Sequence, residues 1–399
     1  MMKNYFLLFL IFANSYFTFA QKQTLFSDND VNITIKQANT QNKPIVLMFY
    51  ATWCEHCKKM KADVFTDQDV IDYYSANFIC TAIDAESQYG NYIKNKYANK
   101  FKIVSFPTFV FLDKNENLLS CNSGEFKKDE FIKEGKNALL PENQISTFKT
   151  IFNADVSNAD NCLKYISAVR KTNLDTSPIA RQYLNTVPKQ NLISETNWRI
   201  LAYGINDIEA DEIKHIIANK EGFAKATSQK RVERKLTFMT TDNLFPLAEV
   251  GDTLNYFKKR RIAESFQIRK VDSLLFRYDL SILEKVKDWK KYKKASESAV
   301  EKFGWNDSNV LVEISKDYLT YIDDKKGISN AINWTKQALT LGESLEKYIL
   351  ISKLYLKNND LKNANDFAEK GKTIAINYGW KTNELDNLIL EAKNRKLQK

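Results

Sequence analysis

Glycine and proline are scarce: 11 Gly and 6 Pro in 399 residues. So few chain breakers argue against a many-turned β protein and favour long helices. Cysteine is sparse too. The five residues, Cys54, Cys57, Cys80, Cys121 and Cys162, are too few and too dispersed for a disulfide-stapled scaffold. Only two histidines occur, His56 and His215, so a zinc site built on Cys54 and Cys57 would lack its other two ligands. Past the N-terminus no run approaches the roughly 18 apolar residues of a membrane-spanning helix. No nucleic-acid-binding motif appears, so a nucleic-acid partner is not expected.

The first twenty residues read as a secretory signal. Lys3 supplies the positive charge, Phe6 to Phe19 is largely apolar, and Thr18-Phe19-Ala20 has the form of a cleavage site. An exported protein is expected, periplasmic or secreted, in a compartment where disulfide chemistry is possible. Charge is uneven. Residues 21–145 hold 15 basic against 16 acidic side chains and residues 146–399 hold 43 against 33, so the surplus of the +10 chain lies in its second part.

From Ser27 to about Pro141 helix and strand patterns alternate. Ser27 is placed to cap a helix over Asp28–Thr40, and Pro44–Tyr50 is a short apolar run expected as a buried strand. Cys54 opens a helix to about Val64, and Thr66 caps the next with Asp69 as a weak capping box. Phe78–Ile83 is a strand, Ser87–Tyr97 a helix, Thr108–Leu112 and Asn117–Cys121 a hairpin, and Lys127–Leu139 a closing helix. This order predicts a mixed α/β sheet with helices on both faces. After Pro141 the pattern is all-α, with helical periodicity over Asn161–Lys171, Asp207–Asn219, Leu254–Leu275 and Asp307–Asp323. Ala331, Trp334 and Ala338 recur as Ala364, Phe367 and Gly371, and Leu345–Lys357 between them ends at Asn358-Asn359-Asp360. That region, about 324–378, resembles tetratricopeptide repeats. The expected organisation is a signal over 1–20, an α/β domain over 21–141 and an all-α domain over 142–399.

Cys54 and Cys57 carry the chemistry. A Cys-x-x-Cys following a strand and opening a helix puts Cys54 at a helix N-terminus, where free N–H groups and the dipole stabilise a thiolate. Cys57 lies one turn on and can resolve a mixed disulfide. The stretch Lys43 to Met60, with Trp53-Cys54-Glu55-His56-Cys57 at its centre, resembles the active-site strand and helix of the thioredoxin superfamily. Phe106-Pro107-Thr108-Phe109 resembles its cis-proline segment, and Asn122-Ser123-Gly124 the loop after its last strand.

The resemblance implies a thioredoxin-like domain with no cofactor beyond the cysteine pair. Cys54 would attack and Cys57 resolve. Trp53 would flank the nucleophile, and a cis Pro107 would face the pair with Phe106 offering backbone hydrogen bonds to substrate. His56 favours the thiolate while Glu55 opposes it. Implied partners are exported proteins bearing thiols or disulfides and a membrane electron donor or acceptor. Many thioredoxins bury an acid beneath the resolving Cys and a Lys on the next strand; here Met48 and Cys80 stand at those positions. Cys80, Cys121 and Cys162 are expected as buried small side chains. Two readings remain open: an enzyme of thiol–disulfide exchange whose helical part binds partner or substrate, and a non-catalytic scaffold in which the repeats are the functional element.

Overall fold

A computed structural model describes residues 25–28 and 30–398; the expected signal over residues 1–20 lies outside them. The chain divides into two compact units. One runs through Leu192 and includes Thr196–Ile205; the other comprises Ile193–Glu195 and the chain from Asn206 onward.

The first unit begins with α1 (Val31–Gln41), β1 (Ile45–Tyr50), α2 (Glu55–Asp63), α3 (Gln68–Asn77), β2 (Ile79–Asp84) and α4 (Gln88–Lys96). It continues with β3 (Thr108–Leu112), β4 (Leu118–Ser123) and α5 (Lys128–Leu139). The sheet order is β2-β1-β3-β4, with β1 parallel to β2 and antiparallel to β3, and β3 antiparallel to β4. Because β1 is central and covered on both faces, its sequence is continuously apolar rather than alternating. Val46 and Met48 join Phe109, Phe111 and Phe131 in one core, while Ile45, Leu47 and Phe49 join Val31, Val110 and Leu112 in the other. Burying each such side chain contributes about 1.5–3 kcal/mol. This is the mixed sheet with flanking helices that the sequence predicts.

Two helix starts differ from expectation, for a physical reason. Ser27 is not a cap: its Oγ donates to the Cys80 carbonyl at 3.2 Å, and its backbone bridges to Thr81. Asp30 caps α1 instead, accepting from Asn32 N–H. Likewise the Thr66 hydroxyl donates back to the Ala62 carbonyl, leaving Asp67 to cap α3. Both hydroxyls satisfy themselves elsewhere, so a carboxylate takes the exposed N–H groups.

At α4, Ser87 accepts from Gly90 N–H at 2.9 Å. A Cβ on Gly90 would stand 2.0 Å from the Asp84 carbonyl oxygen, so this glycine lets the helix meet the end of β2. Gly90→Ala is expected to destabilise the protein by about 2 kcal/mol or more, read as a lower urea midpoint at unchanged slope.

The first unit then adds α6 (Ile145–Ala154), α7 (Ala159–Arg170), α8 (Ser177–Leu184) and, from Thr196 on, α9 (Glu195–Gly204). The second unit carries α10 (Asp211–Ala218), α11 (Lys220–Ala226), α12 (Gln229–Val250), α13 (Thr253–Glu264), α14 (Arg269–Lys285) and α15 (Trp289–Phe303). It ends with α16 (Ser308–Tyr321), α17 (Lys325–Thr340), α18 (Leu345–Lys357), α19 (Leu361–Asn377) and α20 (Asn383–Leu397). Among the described residues no strand follows β4. The helical periodicity over Leu254–Leu275 is carried by two helices, α13 and α14, with the chain turning between them at Gln267, whose φ is 52°. Where α18 meets α19, a Cβ on Gly371 would lie 2.6 Å from Tyr348 Cβ, and Tyr355 stacks on Phe367 at 5.5 Å.

Candidate functional site

The site forms where the C-terminal end of β1 meets the start of β3. Phe49 pairs with Thr108, so Pro107 and the residues after Tyr50 fall at one end of the sheet. Thr108 also pairs with Ser123, and Gly124 N–H donates to the Pro107 carbonyl at 2.8 Å. The Phe106–Pro107 peptide bond is cis. Gly124, at φ of +111°, makes the turn out of β4.

Cys54 is the N-cap of α2, and its Sγ accepts from Cys57 N–H at 3.1 Å. Cys54 and Cys57 form a disulfide and are 4% and 1% exposed, so the pair is nearly covered. Around it the surface is aromatic. Trp53 is 63% exposed, meets the Phe106 ring edge-on at 6.0 Å, and donates its indole N–H to Glu86 at 2.8 Å. Glu55 bridges Lys58 one turn along, at 2.7 Å.

His56 points to the loop after β4. Its Nδ1 lies 2.8 Å from Glu125 Oε2, and Lys59 Nζ lies 2.5 Å from the other oxygen of the same carboxylate. The Lys59 hydrogen bond, and then that of His56, hold the Glu125 carboxyl below the usual carboxylate range; Glu125 in turn raises Lys59. A lowered carboxyl pKa stabilises the fold above the ordinary value of about 4.3, and that contribution is lost as pH falls through the lowered one. Glu125→Gln is therefore expected to lose less stability than the wild type between about pH 5 and pH 3, in paired urea titrations. The effect is small because the cluster faces solvent.

Sequence reasoning missed Glu86 and Glu125, which hold Trp53 and His56. It also missed a brace on the segment leading to Pro107. Lys102 N–H donates to the Thr172 carbonyl at 2.8 Å, and the Asn173 amide donates to the Lys102 carbonyl at 2.9 Å. The turn after α7 thus holds the approach to the cis proline.

Beneath the pair the floor is apolar. Met48, fully buried, shares one cluster with Cys54, Cys57, Met60 and Cys80. Cys80, Cys121 and Cys162 are free and buried, as expected, with Cys80 and Cys121 on the two outer strands of the sheet. Burial raises the Cys80 thiol and pushes Cys121 and Cys162 up to about 12, which keeps them protonated and unreactive.

Residues 31–139 match a family model described as a thioredoxin-like domain. Thioredoxin-1 of Drosophila melanogaster is 36% identical over 92 residues, which is 23% of this chain and 76% of that protein. The chain belongs to the thioredoxin-like family. Two further relatives of this thioredoxin-like protein match over smaller shares of their own length. The chloroplastic thioredoxin-like protein HCF164 of Oryza sativa subsp. japonica is 31% identical over 98 residues, 24% of this chain and 34% of its own. The thiol:disulfide interchange protein DsbD of Pseudoalteromonas atlantica is 28% identical over 113 residues, 28% of this chain and 19% of its own.

The protein is a thiol–disulfide oxidoreductase with a redox disulfide at Cys54 and Cys57. Such oxidoreductases use no cofactor beyond that disulfide. Among the described residues no group of three or more His, Cys, Asp or Glu is placed to hold a metal ion, and no helix is long and apolar enough to cross a membrane.

Proposed function

We propose that this is an exported oxidoreductase acting on protein disulfides, with Cys54 as nucleophile, Cys57 as resolving thiol, and a helical portion that recruits the partner. The observation that carries the reading is Cys54 Sγ at the N-cap of α2, accepting the Cys57 N–H, beside an exposed Trp53. The same N–H and the helix dipole that meet the sulfur here stabilise it as a thiolate once the pair is reduced.

In the reducing direction the Cys54 thiolate attacks one sulfur of a substrate disulfide. That S–S bond breaks, the departing sulfur takes a proton, and Cys54 is left in a mixed disulfide. Cys57, losing its proton, attacks Cys54 Sγ; the second substrate thiol leaves, and the Cys54–Cys57 bond holds the two electrons' worth of oxidation. Run backwards, the same steps oxidise a dithiol. Trp53 and Phe106 provide the apolar platform, Phe106–Pro107 the backbone for an extended peptide, and His56 and Glu55 tune the thiolate.

Export rests on the apolar segment before Ala20 and its small-x-Ala end. The tetratricopeptide-like reading of residues 324–378 is supported by the close approach at Gly371 and the Tyr355–Phe367 stack. A membrane electron donor or acceptor is the natural partner for recycling the pair outside the cytoplasm.

The test is insulin reduction by the full mature chain, with the Cys54–Cys57 reduction potential measured against glutathione. Turnover that disappears in Cys54→Ser is the expected result, and the potential assigns the direction, since about 30 mV is tenfold in equilibrium for a two-electron couple. A reduced pair that exchanges with no protein or small disulfide would overturn the catalytic reading in favour of a scaffold.

A further inference from the structure

The second unit contains an open groove bounded by α13, α14 and α15. Its central cavity measures about 910 Å³, and its floor includes Leu275, Phe276, Leu283 and Phe303. A second cavity of about 710 Å³ continues it, sharing Phe257, Arg261, Leu283 and Lys291. At that end Leu254 and Val286 line the wall and are 80% and 41% exposed. Large apolar side chains left this open in a groove mark a place of contact.

The charges around the groove are not balanced among themselves. Arg260 is committed: it holds Asp279 at 2.7 Å, with the Tyr256 hydroxyl on the same carboxylate, and Glu264 at 3.0 Å. Lys291 is bridged to Asp288 at 2.9 Å. Among the described residues Arg261, Lys294 and Lys302 have no ion-pair partner, and Asp272 is the one carboxylate of the central cavity without one. Three cations without an ion-pair partner therefore face one such anion, Lys302 lying over the Phe303 ring of the floor at 4.9 Å, in the part of the chain that carries the basic surplus.

Given that the helical portion recruits partners, we propose that this groove docks an acidic protein segment carrying large apolar side chains. Carboxylates of the segment meet Arg261, Lys294 and Lys302, and its apolar residues cover Leu254 and the floor. Two cavities joined end to end form a trough, longer and more open than a pocket that encloses a small molecule. A flat membrane surface cannot reach a floor set between helices. Opposite charge across the contact gives the segment both its rate of capture and its selection over basic competitors.

The probe is a fluorescein-labelled synthetic peptide of Glu-rich turns bearing Leu, titrated against the full mature chain by anisotropy. Binding is expected that weakens with salt and is lost by about tenfold or more in Arg261→Glu/Lys294→Glu/Lys302→Glu. A peptide with Lys in place of Glu should not bind, and Leu254→Ser should weaken the Leu-bearing peptide while leaving polyglutamate unaffected. Arg260 is left in place because its bonds are internal.

The groove assignment is overturned if the triple variant binds as the wild type does, if polyglutamate binds as well as the Leu-bearing peptide, or if phosphatidylglycerol vesicles bind more tightly and lose binding in the same variants. Each variant is also checked by far-UV circular dichroism and thermal melting, where wild-type helix content and melting temperature show that the helical unit is folded. A wild-type chain that reduces the small disulfide but ignores the peptide overturns the groove alone. A chain that binds the peptide yet turns over a disulfide attached to it no faster than the free disulfide overturns recruitment as the role of the helical portion.

Discussion

Cys54→Ser is expected to lower turnover of small and protein disulfides by about 10³-fold or more, the scale of removing a nucleophile. Cys57→Ser should instead stop after one step, holding substrate in a stable mixed disulfide on Cys54. The asymmetry follows from position. Both sulfurs are nearly covered, at 4% and 1% exposure, and both belong to the apolar cluster with Met48 and Met60, so the difference lies in the helix: Cys54 Sγ is the cap of α2 and receives the Cys57 N–H, whereas Cys57 sits within the first turn. The N-terminal position favours a thiolate on Cys54 and leaves Cys57 to meet the sulfur one turn away. No other cysteine replaces either, because Cys80, Cys121 and Cys162 are buried and burial holds their thiols protonated. The check is non-reducing mass spectrometry of each variant after exposure to a disulfide-bonded peptide. A covalent adduct in Cys57→Ser and none in Cys54→Ser is the expected pair of results. An adduct on Cys57 in Cys54→Ser would reverse the assigned roles.

The parts of this site that the sequence made legible are those encoded by neighbours in the chain. An apolar run, Cys-x-x-Cys and the start of a helix lie within twenty residues, and strand period and helix capping are local properties. Phe106-Pro107 and Ser123-Gly124 were legible because each is a short motif whose order along the chain matches a known arrangement. Glu86 and Glu125 were not. Nothing local ties residue 125 to His56 or residue 86 to Trp53; those pairs exist only once the sheet has brought the loop ends together. The brace from Thr172 and Asn173 to Lys102 is hidden for the same reason. Ser27 and Thr66 show the converse error. Each is a good capping residue by type, but a hydroxyl can bond to any nearby carbonyl, and both did. The break between α13 and α14 falls at Ser265-Phe266-Gln267, with no glycine or proline to mark it, so apolar periodicity ran straight through.

The apolar floor beneath the cysteine pair leads to the second large effect, expected for Met48→Asp. Met48 is fully buried in the cluster that contains Cys57. The substitution removes an apolar side chain and places a carboxyl where water does not reach, a combination expected to cost about 3–5 kcal/mol. Desolvation will raise the pKa of the new carboxyl above its unfolded value of about 3.9. The sign of the pH dependence follows. Below about pH 4 the group is neutral in both states and the loss is smallest; as pH rises toward the raised folded value, the unfolded chain ionises first and the deficit grows. Met48→Asn, similar in shape but unable to ionise, should show a deficit that does not change over the same range. Kinetics should move the other way. In the wild type the cluster beneath Cys57 is apolar and holds no carboxylate or amine to take its proton when it resolves the mixed disulfide. A carboxylate at position 48 supplies an acceptor in the same cluster. Resolution, followed as release of the second substrate thiol after rapid formation of the mixed disulfide, should therefore be faster in Met48→Asp than in Met48→Asn near neutral pH, and the difference should fade under acidic conditions as the carboxyl protonates. Equal resolution rates in the two variants across that range, with both folded, would mean that proton transfer from Cys57 does not limit this protein and that the methionine in the acid's place costs it nothing in speed.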